Sequence, residues 1–365
     1  MQYSLLGNSG LVVSRIALGC MSFGSRKWRP WMLEEEEAMP FFRRAVELGI
    51  NFFDTADVYS LGVSEEITGK AVREYANRDE AVVATKVRMR MGTGPNRGGL
   101  SAKHIVQSCE ASLKRLGLER IDLYQIHRAD ASTPVEETLA ALDRLVQDGK
   151  VLYIGASSMF AWELMKMLSV SERNGWARFI SMQNHYNLVY REEEREMMPL
   201  CADQGIGAIP WSPLARGLLT GKRSRGGRGG AGGGGARGGQ GGSADGGAGA
   251  VNAGPGSPAE RGETDTLTDE LYDHDSDWDV VDAALRVARR RGVEPVQVAL
   301  AWLLSRPAVV APVVGFTKVG QMDAAAASVD LVLGDDECAE LEAPYRPHAV
   351  RGWLGGAVRL PGISS

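Results

Sequence analysis

Short apolar runs rich in Val, Ile, Phe and Ala recur along the chain, and between most of them apolar residues return every three or four positions within polar stretches. The short runs predict strands at 15–19 (RIALG), 51–55 (NFFDT), 81–87 (AVVATKV), 121–127 (IDLYQIH), 151–157 (VLYIGAS), 179–185 (FISMQNH), 206–212 (IGAIPWS) and 309–316 (VVAPVVGF). Longer stretches such as LEEEEAMPFFRRAVELG and SAKHIVQSCEASLKRLG predict helices, several closed by a Gly suited to a left-handed C-cap. Thr133 before Pro134, with Glu136 three residues after the Thr, has the form of a capping box with Pro at the first helical position. Eight such rounds predict a closed (β/α)8 TIM barrel in preference to an open doubly wound sheet. Ahead of them, YSLLGNSGLVVS reads as a hairpin that plugs the bottom of the barrel.

One segment breaks the pattern. From Gly221 to Gly262 the chain is dominated by Gly and has almost no large apolar side chain, so it cannot repay the entropy of ordering. It predicts a flexible, disordered insertion at 221–262. Residues 1–220 then carry barrel strands one to seven, and 263–365 complete the barrel with strand eight and a C-terminal tail. Arg223, Arg225, Arg228 and Arg237 give the tract an RGG-like look, but without interleaved aromatics it reads as solvated insertion and not as RNA contact. Its formal GxGxxG at Gly233, Gly235 and Gly238 follows no strand and precedes no helix.

Composition narrows the partner. A net charge of −5 and a pI near 5.7 give no electrostatic reason to expect nucleic acid or a membrane, which leaves a small molecule as the expected substrate. No apolar run approaches the length of a bilayer span, and a cytoplasmic location is expected. Cys20, Cys109, Cys201 and Cys338 are scattered without zinc-like or CxxC spacing and read as reduced packing residues. No oligomeric state can be read from the chain.

In a TIM barrel, functional side chains gather at the C-terminal ends of the strands. The predicted strands place Asp54, Lys86, His127, Ser157 with Ser158, Gln183 with Asn184, and Trp211 with Ser212 there, and Tyr59 follows Asp54 across a short loop. A Lys inside an apolar strand needs a counter-ion, and Asp54 on the adjacent strand supplies one. That alone describes a structural ion pair. With Tyr59 beside it, the Lys charge favours the phenolate and is expected to lower the Tyr pKa from about 10, making a proton donor. Hydride addition to a carbonyl needs such a donor, with His127 orienting the carbonyl. A metal-dependent hydrolase built on Asp54 and His127 would need more His and carboxylate ligands than the strand ends offer, and no metal is expected.

Asp54, Tyr59, Lys86 and His127, in that order on successive strand ends, resemble the catalytic tetrad of the aldo-keto reductases. The phrases GINFFDTADVYS, DLYQIHR, GKVLYIGASS, QNHYNLVYREEE and IPWSPLARGLLTG are similar to that family, over nearly everything except the Gly-rich tract. MQNHYNLVYREEEREMMPLC and LEAPYRPHAV most resemble its versiconal hemiacetal acetate reductase-like subgroup, related to the potassium-channel β-subunits.

The resemblance implies NADPH-dependent reduction of an aldehyde or ketone, with Tyr59 as general acid, Lys86 as its activator, Asp54 as the partner of Lys86 and His127 as the polariser of the carbonyl. An NADP-binding regulatory or redox-sensing subunit with slow turnover is the alternative. For NADPH/NADP, Ser157 and Gln183 match the carboxamide-binding positions, Ser158 stands beside them where many members have Asn, and Trp211 takes the aromatic position that stacks on the nicotinamide, where many relatives carry Tyr. Ser212, Leu214, Arg216 and Gly217 match the pyrophosphate loop. Gly315, Thr317, Lys318 and Gln321 match the segment at the adenosine 2'-phosphate, which favours NADP over NAD. Ala324 and Ala325 stand where many relatives carry adenine contacts, shifting weight onto Lys318, Gln321 and the pyrophosphate loop. Phe23, Trp28, Trp31, Met89 and Met91 lie on loops expected at the barrel mouth, for a substrate pocket or for rim packing. His185 and His104 receive no role, and Asp57 is expected to hold the loop that carries Tyr59.

Overall fold

The computed structural model describes residues 1–222, 268, 271, 272 and 274–350. The Gly-rich stretch from residue 223, expected to be a flexible insertion, and the tail after 350 lie outside them. The strands are β1 (Tyr3–Leu5), β2 (Val12–Ser14), β3 (Ala17–Gly19), β4 (Phe52–Asp54), β5 (Val82–Val87), β6 (Ile121–Ile126), β7 (Val151–Ser157), β8 (Phe179–Gln183), β9 (Gly207–Ala208) and β10 (Val313–Val314). The principal helices are α1 (Glu35–Glu47), α2 (Val63–Tyr75), α3 (Ala102–Leu116), α4 (Val135–Gln147), α5 (Ala161–Asn174), α6 (Met197–Gln204), α7 (Asp275–Arg291), α8 (Pro295–Leu304), α9 (Gln321–Ala327) and α10 (Asp335–Glu342).

β3 to β10 form one parallel sheet of eight strands in the order β10-β3-β4-β5-β6-β7-β8-β9, and the bridges Ala208↔Val309 and Trp211↔Val313 join its two ends. This is the (β/α)8 barrel that the alternation of strand and helix predicts. β9 and β10 are shorter than the predicted runs because Pro210 and Pro312 interrupt them, and proline has no N–H for the ladder. β1 and β2 pair antiparallel, and Leu6 and Val13 from this hairpin pack among the inward-facing Ala17, Phe52, Val82, Leu123 and Ile209. The hairpin is therefore the barrel's apolar plug. A second, larger core lies between sheet and helices, and each fully buried large side chain there contributes about 1.5–3 kcal/mol.

Several helices end as their sequences predict: Gly117 and Gly205 take φ of 63° and 64° as left-handed C-caps of α3 and α6. The start of α4 differs. The helix begins at Val135 with Pro134 as its N-cap, and Thr133 turns its hydroxyl to Asp130 at 2.8 Å in place of capping. Asp130 outcompetes the helix terminus because it already organises this loop, accepting from Leu100 N and Ser132 as well. No helix among the described residues is long and apolar enough to cross a membrane.

Candidate active site

Side chains alternate across a strand, so residues two apart share a face. Phe52 faces the barrel interior, and therefore Asp54 does; Val82 and Ala84 put Lys86 inside, and Leu123 puts Gln125 and then His127 inside. Gln183 lies at the matching level of β8, opposite Ser157 in the register. Above the apolar layer of Phe52, Ala84, Leu123 and Ile209 the barrel thus carries a polar layer, open only toward the C-terminal mouth. Gly155 makes room for it: a Cβ there would strike Ser181 Oγ and stand 3.0 Å from Gln125 Cγ.

Lys86 is the centre of this layer and is fully buried. Its Nζ donates to Asp54 Oδ2 at 2.6 Å, to the Thr55 carbonyl at 2.9 Å and to Tyr59 OH at 3.3 Å. Asp54 Oδ1 accepts from Gln125 Nε2 at 3.0 Å and Gln183 Nε2 at 2.8 Å, so both carboxylate oxygens are occupied. Burial works against the Lys86 charge, but Asp54 and Tyr59 outweigh it and its pKa is raised. The His127 ring stands edge-on to Tyr59, with centroids 5.7 Å apart. Loss of solvation, helped by Lys86, Arg128 and Arg88, holds His127 well below the ordinary histidine range, so it is a neutral imidazole. Its Nδ1 is buried without a partner.

One electrostatic expectation is corrected. The Tyr59 pKa is raised, because desolvation of the phenol outweighs the lowering by Lys86. The hydroxyl consequently keeps its proton through neutral pH. A short turn at Tyr59–Gly62 fixes it, with Ser60, Leu61 and Gly62 all at positive φ (53°, 53° and 99°). Ser60 Oγ accepts from Ser25 N at 2.8 Å, which ties this turn to the loop after β3.

Asp57 does not tie that turn to another element with its carboxylate. It is fully buried, neither oxygen is hydrogen-bonded to another side chain, and the backbone N–H that acts on it is that of the adjacent Val58. Its neighbour Glu65 occupies the available donors, Thr85 Oγ1 and Arg115 Nε, both at 2.6 Å. Burial, with Glu65 second, pushes the Asp57 pKa well up. An unfolded aspartate ionises near about 3.9, so above that pH the native state holds a proton that the unfolded chain releases, and stability falls as pH rises toward the native pKa. Asp57→Asn removes this loss. Its stability gain over the parent should grow between about pH 4 and pH 7.5, by about 1.4 kcal/mol per unit of pKa difference, in urea unfolding at both pH values. A gain that does not change with pH would show that Asp57 ionises normally.

The remaining predicted residues lie around the rim. Ser157 Oγ donates to the Gln183 carbonyl at 2.8 Å, and Ser158 Oγ accepts from Trp211 Nε1 at 3.2 Å. One face of the Trp211 indole is covered by His185, whose ring stacks at 4.2 Å and is backed on its other side by Tyr190 at 4.1 Å. Tyr272 OH meets His185 Nε2 at 2.6 Å, and Asn187 donates to the same hydroxyl at 3.0 Å. His185 thus acquires a place that its sequence context did not signal. Ser212, Ala215, Arg216 and Gly217 all have positive φ, and the loop is wound tightly on itself, with Ala215 N–H donating to the Ser212 carbonyl and Gly217 N–H to the Leu214 carbonyl, both at 2.9 Å. Gln321 Oε1 accepts from the backbone N–H groups of Thr317 and Lys318, both at 3.1 Å, and so shapes that exposed turn. Gly315 precedes it, also exposed. Among the loop aromatics, Phe23 is buried against Phe41 and Phe42 and is core, not pocket.

The Aldo/keto reductase family profile matches residues 15–346, which spans this whole arrangement. The chain belongs to the aldo/keto reductase family. It is 40% identical over 373 residues to the versiconal hemiacetal acetate reductase of Aspergillus parasiticus, covering 96% of this chain and 98% of that one. An aldo-keto reductase of Metarhizium robertsii is 39% identical over 379 residues, with 96% and 92% covered, and one of Alternaria alternata is 38% identical over 375 residues, with 96% and 93% covered. Membership supports carbonyl reduction by an oxidoreductase on a small-molecule substrate, with a nicotinamide cofactor general to aldo/keto reductases.

Two features of this aldo/keto reductase were not anticipated. Gln125 is one, although its parity with Leu123 in a buried strand could have revealed it. Arg88 is the other, at the end of β5 with a φ of 124°, a conformation that costs a non-glycine residue about 1–3 kcal/mol.

Proposed function

We propose that this aldo/keto reductase reduces an aldehyde or ketone to the alcohol, with NADPH as hydride donor and Tyr59 as proton donor. The observation that carries the reading is Lys86 Nζ, held between Asp54 Oδ2 and Tyr59 OH beside a neutral His127. Tyr59, protonated at neutral pH, gives its proton to the oxygen of the carbonyl. The phenolate left behind sits next to the Lys86 charge and regains a proton from solvent. Asp54 keeps Lys86 charged throughout, and the His127 imidazole donates a hydrogen bond that orients the carbonyl oxygen.

The rim fits the cofactor. Trp211, fixed at its Nε1 by Ser158 and backed by His185, offers a plate for a flat ring. Ser157, Ser158 and Gln183 supply the hydroxyls and amide that a carboxamide needs. The tightly wound run of Ser212, Leu214, Arg216 and Gly217, with small residues and the Arg216 cation, suits a pyrophosphate, and Gly315, Thr317, Lys318 and Gln321 suit a 2'-phosphate. NADPH, when bound, supplies the hydride. Three buried free cysteines, with thiols pushed up to about 12 by burial, fit a reducing compartment, and we assign the protein to the cytoplasm.

Consumption of NADPH in the presence of 4-nitrobenzaldehyde tests the reading. Sustained turnover is expected, whereas a slow regulatory subunit would bind NADPH and consume little of it. Lys318→Ala should weaken NADPH by about tenfold, the order of one charge-assisted hydrogen bond, and leave NADH nearly unaffected. Equal weakening of both would remove Lys318 from the 2'-phosphate site.

A further inference from the structure

Beside the proton-donating group lies a concentration of positive charge that the reduction does not use. Val87 pairs with Ile126 and its carbonyl accepts from His127 N at 2.8 Å, so Arg88 begins next to His127, and Arg128 follows His127 just past the end of β6. Both guanidinium groups, with Lys86, act on the His127 ring, and Arg88 acts on Arg128. Arg88 has no carboxylate partner among the described residues. Among the described residues its one side-chain hydrogen-bond partner is the Met89 sulfur, at 3.9 Å, and its Nε is buried without a partner. Asp130, the acid on the neighbouring loop, is committed to Leu100 N, Ser132 and Thr133. The backbone at Arg88 is held at a φ of 124°, in a region that residues other than glycine rarely enter. Such distortions persist where the surroundings impose them, and they cluster at ligand sites. A planar guanidinium left without a counter-ion beside His127 is matched by a carboxylate, which it can bind through two parallel hydrogen bonds.

We infer that Arg88 is a specificity residue that anchors a carboxylate carried by the substrate, so that the site takes aldehydes or ketones bearing an acid group in preference to neutral ones. The inference rests on the Tyr59-centred reduction proposed above. It makes Arg88 a recognition group for the part of the substrate remote from the reacting bond, while Tyr59 and His127 attend to the carbonyl oxygen.

The test compares 4-carboxybenzaldehyde with its neutral methyl ester, methyl 4-formylbenzoate, under NADPH. The parent protein is expected to favour the acid by about tenfold or more in kcat/KM, chiefly through KM. Arg88→Gly, which also relieves the backbone, should collapse that ratio toward one, and Arg88→Lys should retain part of it. A parent ratio near one, or an unchanged ratio in Arg88→Gly, overturns the inference. Loss of NADPH affinity with the ratio intact also overturns it, because Arg88 would then serve the cofactor phosphates. Calorimetric titration of 4-(hydroxymethyl)benzoate in the presence of NADP reads the same contact without turnover, and binding should weaken about tenfold in Arg88→Gly. If neither aldehyde is reduced, the proposed reaction fails, while this titration still decides for or against the carboxylate site.

Discussion

Tyr59→Phe is expected to lower carbonyl reduction by about a thousandfold, within the range for removal of a general acid, while NADPH binds almost as before. The ring remains and only the hydroxyl 3.3 Å from Lys86 Nζ is lost, so packing against His127 survives. The pH profile supplies a second readout. Because the reaction needs the protonated phenol, the rate should stay level through neutral pH and fall as pH passes the raised Tyr59 pKa. His127 is held far below its ordinary range, so no acid limb is expected near the usual histidine value of about 6.5. Turnover of the Phe variant within tenfold of the parent would assign the proton to another group.

Lys86→Met should cost about 3–5 kcal/mol of stability in urea unfolding, the penalty for leaving one member of a buried ion pair without the other. Asp54 would keep the Gln125 and Gln183 amides but lose its cation, in a layer with no access to water from below. Adding Asp54→Asn to this variant removes the stranded charge and should recover much of the loss. A penalty under about 1 kcal/mol would mean that Asp54 simply takes up a proton when Lys86 is absent. Reduction should fail in both variants, since the phenolate of Tyr59 would form with no cation beside it.

The alternation of short apolar runs with helical stretches was enough to place every barrel strand, because a parallel strand buried on both faces can hardly be written otherwise. Strand ends were less legible where proline cut the ladder, as at Pro210 and Pro312. Asp54, Lys86 and His127 could be read as neighbours because inward parity and barrel architecture put them on one layer, whereas Tyr59, on the turn after β4, lies outside that parity argument. What parity cannot convey is the balance of opposing electrostatic effects. The direction of the Tyr59 shift turned on how deeply the phenol is desolvated, and the failure of Asp57 to hold its loop turned on Glu65 already occupying the donors. Arg88 was illegible for a different reason: its strained φ is a property of the chain around it, and no residue type announces it.

The missing side chain at Gly155 ties three positions together as an evolutionary unit. Since a Cβ there collides with Ser181 Oγ and crowds Gln125, an alanine at 155 becomes acceptable only with a smaller residue at 125 or 181. Shrinking Gln125 would remove one of the two amides on Asp54. Related chains should therefore exchange these residues together or not at all, and a designed library that varies position 155 by itself should yield few folded members.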